Sequence, residues 1–139
     1  MTRVWILPVF AAIAWAQVPK PADPPEEDES AIPKEYSFNP LQASKELQVG
    51  NFYLKKGSLV AAAGRFEEAT RWNPQLAEAY YRLAETREKI AAGIKGEAAA
   101  EKRSLEMDSA KKAYEKFVEV APEDKRAAAI RKKLAAWKP

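Results

Sequence analysis

NPLQASKELQVGNFYLKKGSLVAAAGRFEEATRWNP, residues 39–74, is the stretch whose reading decides the fold. Asn39 is a good helix N-cap, and Pro40 suits the first helical position, where its missing N–H would have no partner anyway. Leu41, Leu47, Val49, Phe52, Tyr53 and Leu54 then recur at helical period as a broad apolar face. Lys55-Lys56-Gly57 reads as the end of that helix, with cations at the negative end of its dipole and a glycine for a left-handed cap. Ser58 is placed to cap a second helix over Leu59 to Trp72. So short a connection brings two helices into antiparallel contact. Gly50, Ala62 and Ala69 have little side chain, so the axes can approach there, while Tyr53 and Phe66 fill the space between.

The same grammar continues downstream. Asn73-Pro74 repeats the Asn-Pro start and predicts a third helix from Pro74 to about Ala92, with Ala77, Tyr80, Tyr81, Leu83 and Ala84 on its apolar side. Gly93 and Gly96 mark a tip. A fourth helix is expected from about Glu97 to Val120, its core face being Leu105, Ala110, Ala113, Tyr114, Phe117 and Val118. Pro122 should open a fifth, with acids first and cations after, and with Ile130, Leu134 and Trp137 on one stripe. Trp137 either closes the core or stands exposed as a patch for a partner or a second copy; an amphipathic helix favours the first. No segment after residue 39 has strand period. The expectation is an all-α chain of about five helices.

Residues 40 to 138 resemble the tetratricopeptide repeat (TPR) family, whose unit is a helix–turn–helix of about 34 residues. Val49-Gly50 and Tyr53 match its first helix; Ala62, Phe66, Ala69 and Pro74 match its second, with Glu46 in the usual large aromatic place. In a second copy Tyr80, Leu83 and Ala84, then Ala110, Tyr114 and Pro122, take the equivalent positions, while Arg87 stands where Tyr53 stood. About two heptads of extra sequence separate the halves of that copy, which predicts lengthened helices meeting near Gly93 to Gly96. The resemblance implies antiparallel hairpins in a right-handed solenoid, divided as 39–76 for the first hairpin, 77–122 for the second and 123–139 for a capping helix. It also implies a concave groove lined by the first helix of each pair, here Asn51, Leu54 and Lys55, then Glu78, Tyr81, Arg82, Glu85 and Glu88. A groove of this kind receives a segment of a partner protein. A chaperone-type carboxylate clamp is excluded, because Leu47 stands where its lysine would be and Glu78, Glu85 and Glu88 would repel a carboxylate. Residues 39–74 also look like the opening repeat of envelope proteins that help assemble outer-membrane barrels. Those are lipoproteins with more repeats, so only the compartment carries over.

Composition narrows the chemistry. The chain has no cysteine and no histidine, which removes disulfides, thiolate chemistry, and the commonest general base and metal ligand. No acid–base or nucleophile constellation stands out, so neither an enzyme nor a bound cofactor or metal is expected. Met1-Thr2-Arg3 followed by the apolar run Val4 to Ala16 reads as a signal peptide cleaved after Ala16. An uncleaved anchor is disfavoured by its length and by Pro8. The mature chain is then exported, periplasmic or secreted, and soluble. Residues 17–38 form a Pro- and acid-rich linker centred on Glu26-Glu27-Asp28-Glu29, better read as a spacer than as a docking arm. Tyr36 and Phe38 at its end should pack back on the first helix as a staple does. The basic last segment, with Lys125, Arg126, Arg131, Lys132, Lys133 and Lys138, fits a solvated cap better than a nucleic-acid surface. The resulting expectation is a non-catalytic adaptor with a protein partner, the alternative being self-association, as a homodimer, through the groove or Trp137.

Overall fold

Asn39 is extended at φ −142°, ψ 90°, and its side-chain oxygen accepts the Gln42 N–H at 3.0 Å. That bond starts α1, Pro40–Lys55. The computed structural model describes residues 35–138; the expected leader, its cleavage site and the acidic stretch up to residue 34 lie outside the described residues. Gly57, at φ +77°, ends the helix: the Ser58 N–H reaches the Tyr53 carbonyl at 3.0 Å and the Gly57 N–H that of Leu54 at 3.1 Å. Both bonds belong to a left-handed glycine cap. α2 follows at once, Leu59–Trp72. Ser58 stands at its N-cap position, but its hydroxyl makes no capping bond. Its backbone is committed to closing α1, and only its carbonyl serves α2, accepting from Ala62 N at 2.9 Å.

The second Asn-Pro does not repeat the first. α3 is Ala77–Gly93, and Pro74 lies in the turn before it. Asn73 is already used to end α2, donating to the Ala69 carbonyl at 3.0 Å. Its side chain accepts from Gln75 N at 2.9 Å, which holds a turn where Asn39 opened a helix. A short 3₁₀ turn, Glu97–Ala99, leads after Gly96 (φ +86°) into α4, Ala100–Val120. Pro122 likewise opens no helix. The Asp124 carboxylate accepts the Arg126 N–H at 2.8 Å and bends the chain through a turn, so α5 begins only at Ala127 and ends at Ala135, before Trp137. All five α-helices pack on their chain neighbours, α1 on α2, α2 on α3, α3 on α4 and α4 on α5, and no strand occurs among the described residues.

Close approach is the packing rule. Among the described residues, ten of the fourteen buried apolar ones are alanines, so helix backbones come together and few large side chains are needed between them. Phe66, Tyr114 and Phe117 are the large buried ones. A Cβ on Gly50 would lie 2.5 Å from the Phe66 ring, which fixes how near α1 sits to α2. Glu46, also turned inward, accepts from Gln42 Nε2 at 2.7 Å and from Arg65 at 3.2 Å. The second hairpin is longer at its tip. α3 runs about one turn past Lys89, the counterpart of Lys55, and α4 begins about two turns before Met107, the counterpart of Leu59. The extension is therefore shared unequally, with α4 carrying more than α3.

Several expected core residues face water. Leu41, Phe52 and Leu105 are exposed: among the described residues α1 packs chiefly on α2, and Leu105 lies in the first turns of α4. Phe38 is exposed as well. Tyr36 packs on α2: its ring lies 4.9 Å from Trp72, and its hydroxyl donates to Glu68 at 2.8 Å. Arg87 replaces an apolar filler with an ionic tie across three helices. It donates to Glu106 on α4 at 2.8 Å and to Glu67 on α2.

Three expectations follow for urea denaturation. Gly50→Ala destabilises by about 1–2 kcal/mol, the overpacking against Phe66 outweighing the helix-propensity gain. Gly64→Ala, where a Cβ meets nothing within 4 Å, stabilises by about 0.5–1 kcal/mol. Arg87→Ala costs about 2 kcal/mol at neutral pH, because Glu67 and Glu106 are left without their shared cation in a half-buried seam. If Arg87→Ala matched the parent's midpoint, the tie would be ornamental.

Candidate functional site

Helical period puts Glu78, Tyr81, Glu85 and Glu88 on one side of α3, with Arg82 beside them. The fold brings α4 and the start of α5 onto that side. Glu78 accepts from Arg82 Nε at 2.8 Å and from Arg126 at 2.7 Å. Arg82 also reaches Glu85 at 3.4 Å. The Arg126 guanidinium, held by Asp124 at 2.9 Å, lies over the Tyr81 ring, 4.3 Å from its centroid. Tyr81 in turn packs against Phe117 and Tyr114, centroids 5.3 and 6.2 Å apart. At the other end Glu88 accepts from the Tyr114 hydroxyl at 2.7 Å and from Lys133 Nζ at 2.6 Å. The Lys133 ammonium sits 4.5 Å from the Tyr114 ring centroid.

This clasp leaves a cleft of about 380 Å³ between α3 and α5, with Tyr81, Glu85, Glu88, Lys89, Ile130 and Lys133 on its walls. Among the described residues Glu85 pairs with Arg82 on its own helix and with no cation of α5. A second cleft, of about 630 Å³, lies at the lengthened tip, between Ala91 and Ala92 of α3, Arg103 and Met107 of α4, and Trp137. Trp137 is half-buried. One edge meets Tyr114, centroids 6.3 Å apart, while the residue also lines the tip cleft.

Burial and hydrogen bonding tune the charged groups. Desolvation, then the Glu88 carboxylate, push the Tyr114 phenol far above its usual range. Desolvation pushes Tyr81 up too, with Glu85 adding to it. The Arg126 side chain holds Asp124 down at about 2. None of these groups is poised near neutrality, as a general acid or base would be.

The positions read from the sequence separate into three sets. Gly50, Ala62, Phe66, Ala69, Ala84, Ala110 and Tyr114 are buried, Val49, Tyr53, Tyr80 and Leu83 are half-buried, and Pro74 and Pro122 are exposed in turns. On α3 the five groove residues converge as described. On α1, Asn51 and Leu54 are half-buried and Lys55 is exposed, and none of them lines either cleft. Tyr114, Arg126 and Lys133 were not legible as members of this face. Arg126 is 48 residues from Glu78, and only the general match of acids on α3 to cations near the end could have hinted at it.

Among the described residues no group of three His, Cys, Asp or Glu side chains could hold a metal ion, and no helix is long and apolar enough to cross a membrane. Comparison of the chain with protein-family models, with characterised proteins and with solved structures returns no match.

The Tyr114 node has a pH signature. An unfolded phenol titrates near about 10, whereas the folded one holds its proton longer. The stability it supplies is therefore complete below about pH 10 and falls as pH rises beyond that. Tyr114→Phe loses about 1 kcal/mol at neutral pH. It also shows a shallower loss of stability between about pH 9 and about pH 11 by urea denaturation. An identical alkaline slope in the variant would remove Tyr114 as the cause.

Proposed function

We propose that the chain is a non-catalytic, TPR-like protein-interaction module of the bacterial cell envelope, exported by its N-terminal segment. It holds a segment of a partner protein on the α3 face. The observation that carries this reading is the cleft where Tyr81, Glu85 and Glu88 meet Ile130 and Lys133. An aromatic and an aliphatic surface rimmed by both charge signs suits a protein segment, which brings apolar anchors and polar backbone groups together. Helices that pack in chain order with small residues at their crossings support the solenoid arrangement. The run Val4 to Ala16 supports export. Nucleic acid and stable membrane insertion after cleavage have no place in this reading, and no metal or cofactor is required.

Self-association is the second reading. It is favoured by Trp137, which lines the tip cleft and keeps part of its surface open.

In-cell photo-crosslinking separates the two. Tyr81 lies beneath Arg126, so Glu85 is the better site for the crosslinker, with Leu54 for α1 and Trp137 as comparison. A discrete heterologous band from position 85 is expected. A band at twice the chain's own mass from Trp137, with none from position 85, would replace the adaptor reading by self-association.

A further inference from the structure

The open side of α1 has a character that the proposed groove does not share. Leu41, Lys45, Gln48, Phe52 and Lys56 follow one another at spacings of three and four, so they form one stripe along the helix. All are exposed, Leu41 at 83% and Phe52 at 56%. Eleven residues at 1.5 Å each place these two large side chains about 16 Å apart. Phe38, two residues before the helix, is 69% exposed, and Val60, just after the tight turn that ends it, is 75% exposed. A shallow hollow of about 300 Å³ lies on the stripe, lined by Asn39, Leu41, Gln42, Ser44, Lys45 and Gln48.

The charge on this side is of one sign. Between Asn39 and Phe66 the only acid is Glu46, which is turned inward and paired with Arg65. Lys45, Lys55 and Lys56 are exposed, and among the described residues none has a carboxylate within 4.0 Å. Lys56 instead rests over the Phe52 ring, 5.6 Å from its centroid. On α4, Lys111 and Lys116 each face a glutamate about one turn on, while the exposed Lys102 and Lys112 have no carboxylate within 4.0 Å among the described residues.

We propose that this face of α1 is a second docking surface, and that its occupant is an acidic protein segment with two large apolar side chains about 16 Å apart. Leu41 and Phe52 take the apolar anchors, Lys45, Lys55 and Lys56 face the carboxylates, and Ser44 and Gln48 meet polar backbone or side-chain groups. A second copy is the poorer occupant, because a two-fold pairing of this face would set the same lysines against one another. A lipid surface is poorer too, because Leu41 and Phe52 are separated by Ser44, Lys45 and Gln48, with Lys55 and Lys56 beyond them, and so bury little area in a bilayer interface.

The test is fluorescence anisotropy on the full chain with a labelled helical peptide that carries leucines at matching spacing and glutamates between them. The expected result is saturable binding that weakens about tenfold when salt is raised from about 0.05 to about 0.5 M. Lys45→Glu with Lys56→Glu, or Phe52→Ala alone, should each weaken binding about tenfold while helix content by circular dichroism stays unchanged. Glu85→Lys, on the other face, should leave it unaltered. The proposal is overturned if a lysine-for-glutamate version of the peptide binds equally well, or if the α1 variants bind like the parent. It is also overturned if phosphatidylglycerol vesicles compete the peptide away, which would assign the face to a membrane, or if Phe52→Ala abolishes a concentration-dependent dimer. Tighter binding after replacing Glu26, Glu27, Asp28 and Glu29 by serine would assign the face to the chain's own acidic stretch and overturn it as well. The Glu85→Lys control separates failure here from failure of the α3-face reading.

Discussion

The ring of Phe66 fills the space that a side chain on residue 50 would need, and the first hairpin is built around that contact. Because residue 50 is glycine, α1 can lie close to α2 and cover Ala62, Ala63 and Ala69, none of which buries much surface alone. The same economy runs through the second hairpin, where Ala84, Ala110 and Ala113 line the approach and Tyr114 and Phe117 are the large fillers. An alanine-rich core gains through tight contact and little through area per residue. Its geometry is consequently strict, because a single added methylene has no void to enter.

Polar ties take over where this apolar core is thin. Arg87 joins α2, α3 and α4 by reaching Glu67 and Glu106. Arg126 and Lys133 fasten the nine residues of α5 to α3 through Glu78 and Glu88, with the Tyr114 hydroxyl joining Glu88 and Lys133. A helix that short does not persist by its own propensity. Ala127 and Ile130 give it an apolar footing, and the two cations, each lying over an aromatic ring, fix how it lies. The α3 face that results is part scaffold and part surface. Glu78 and Tyr81 serve the cap, while Glu85 and the cleft beside it remain accessible. Partner binding on α3 and the seating of α5 are therefore physically coupled in the proposed reading, and the lysine stripe of α1 stands apart from both.

The hairpin grammar of the first half was legible because it is local. Asn39, Pro40 and Gly57 act within one turn of themselves, and the helix they bound runs where their chemistry says it should. The same signals misled at Pro74 and Pro122. At Pro74 the preceding asparagine was already spent on ending α2; at Pro122 a nearby aspartate drew the chain into a turn. A dipeptide cannot record which of its hydrogen bonds a neighbouring element has claimed. Likewise, apolar period marked Leu41 and Phe52 as core, although period states only that residues share a face. Whether another helix arrives to cover that face is a matter of packing order.

The sequence by itself pointed to helices throughout the described residues, to the starts and ends of α1 and α2, and to a tip near Gly93 to Gly96, since each rests on backbone propensity and short-range sterics. It also excluded thiol and imidazole chemistry by composition alone. Only the tertiary structure decided that Arg87 is an ionic tie and that Arg126 and Lys133 close over α3. It likewise decided that Tyr36 serves α2 and that Leu41 and Phe52 of α1 stay exposed. Those outcomes depend on which charged and aromatic groups are brought together from distant parts of the chain, and helical period carries no information about that distance.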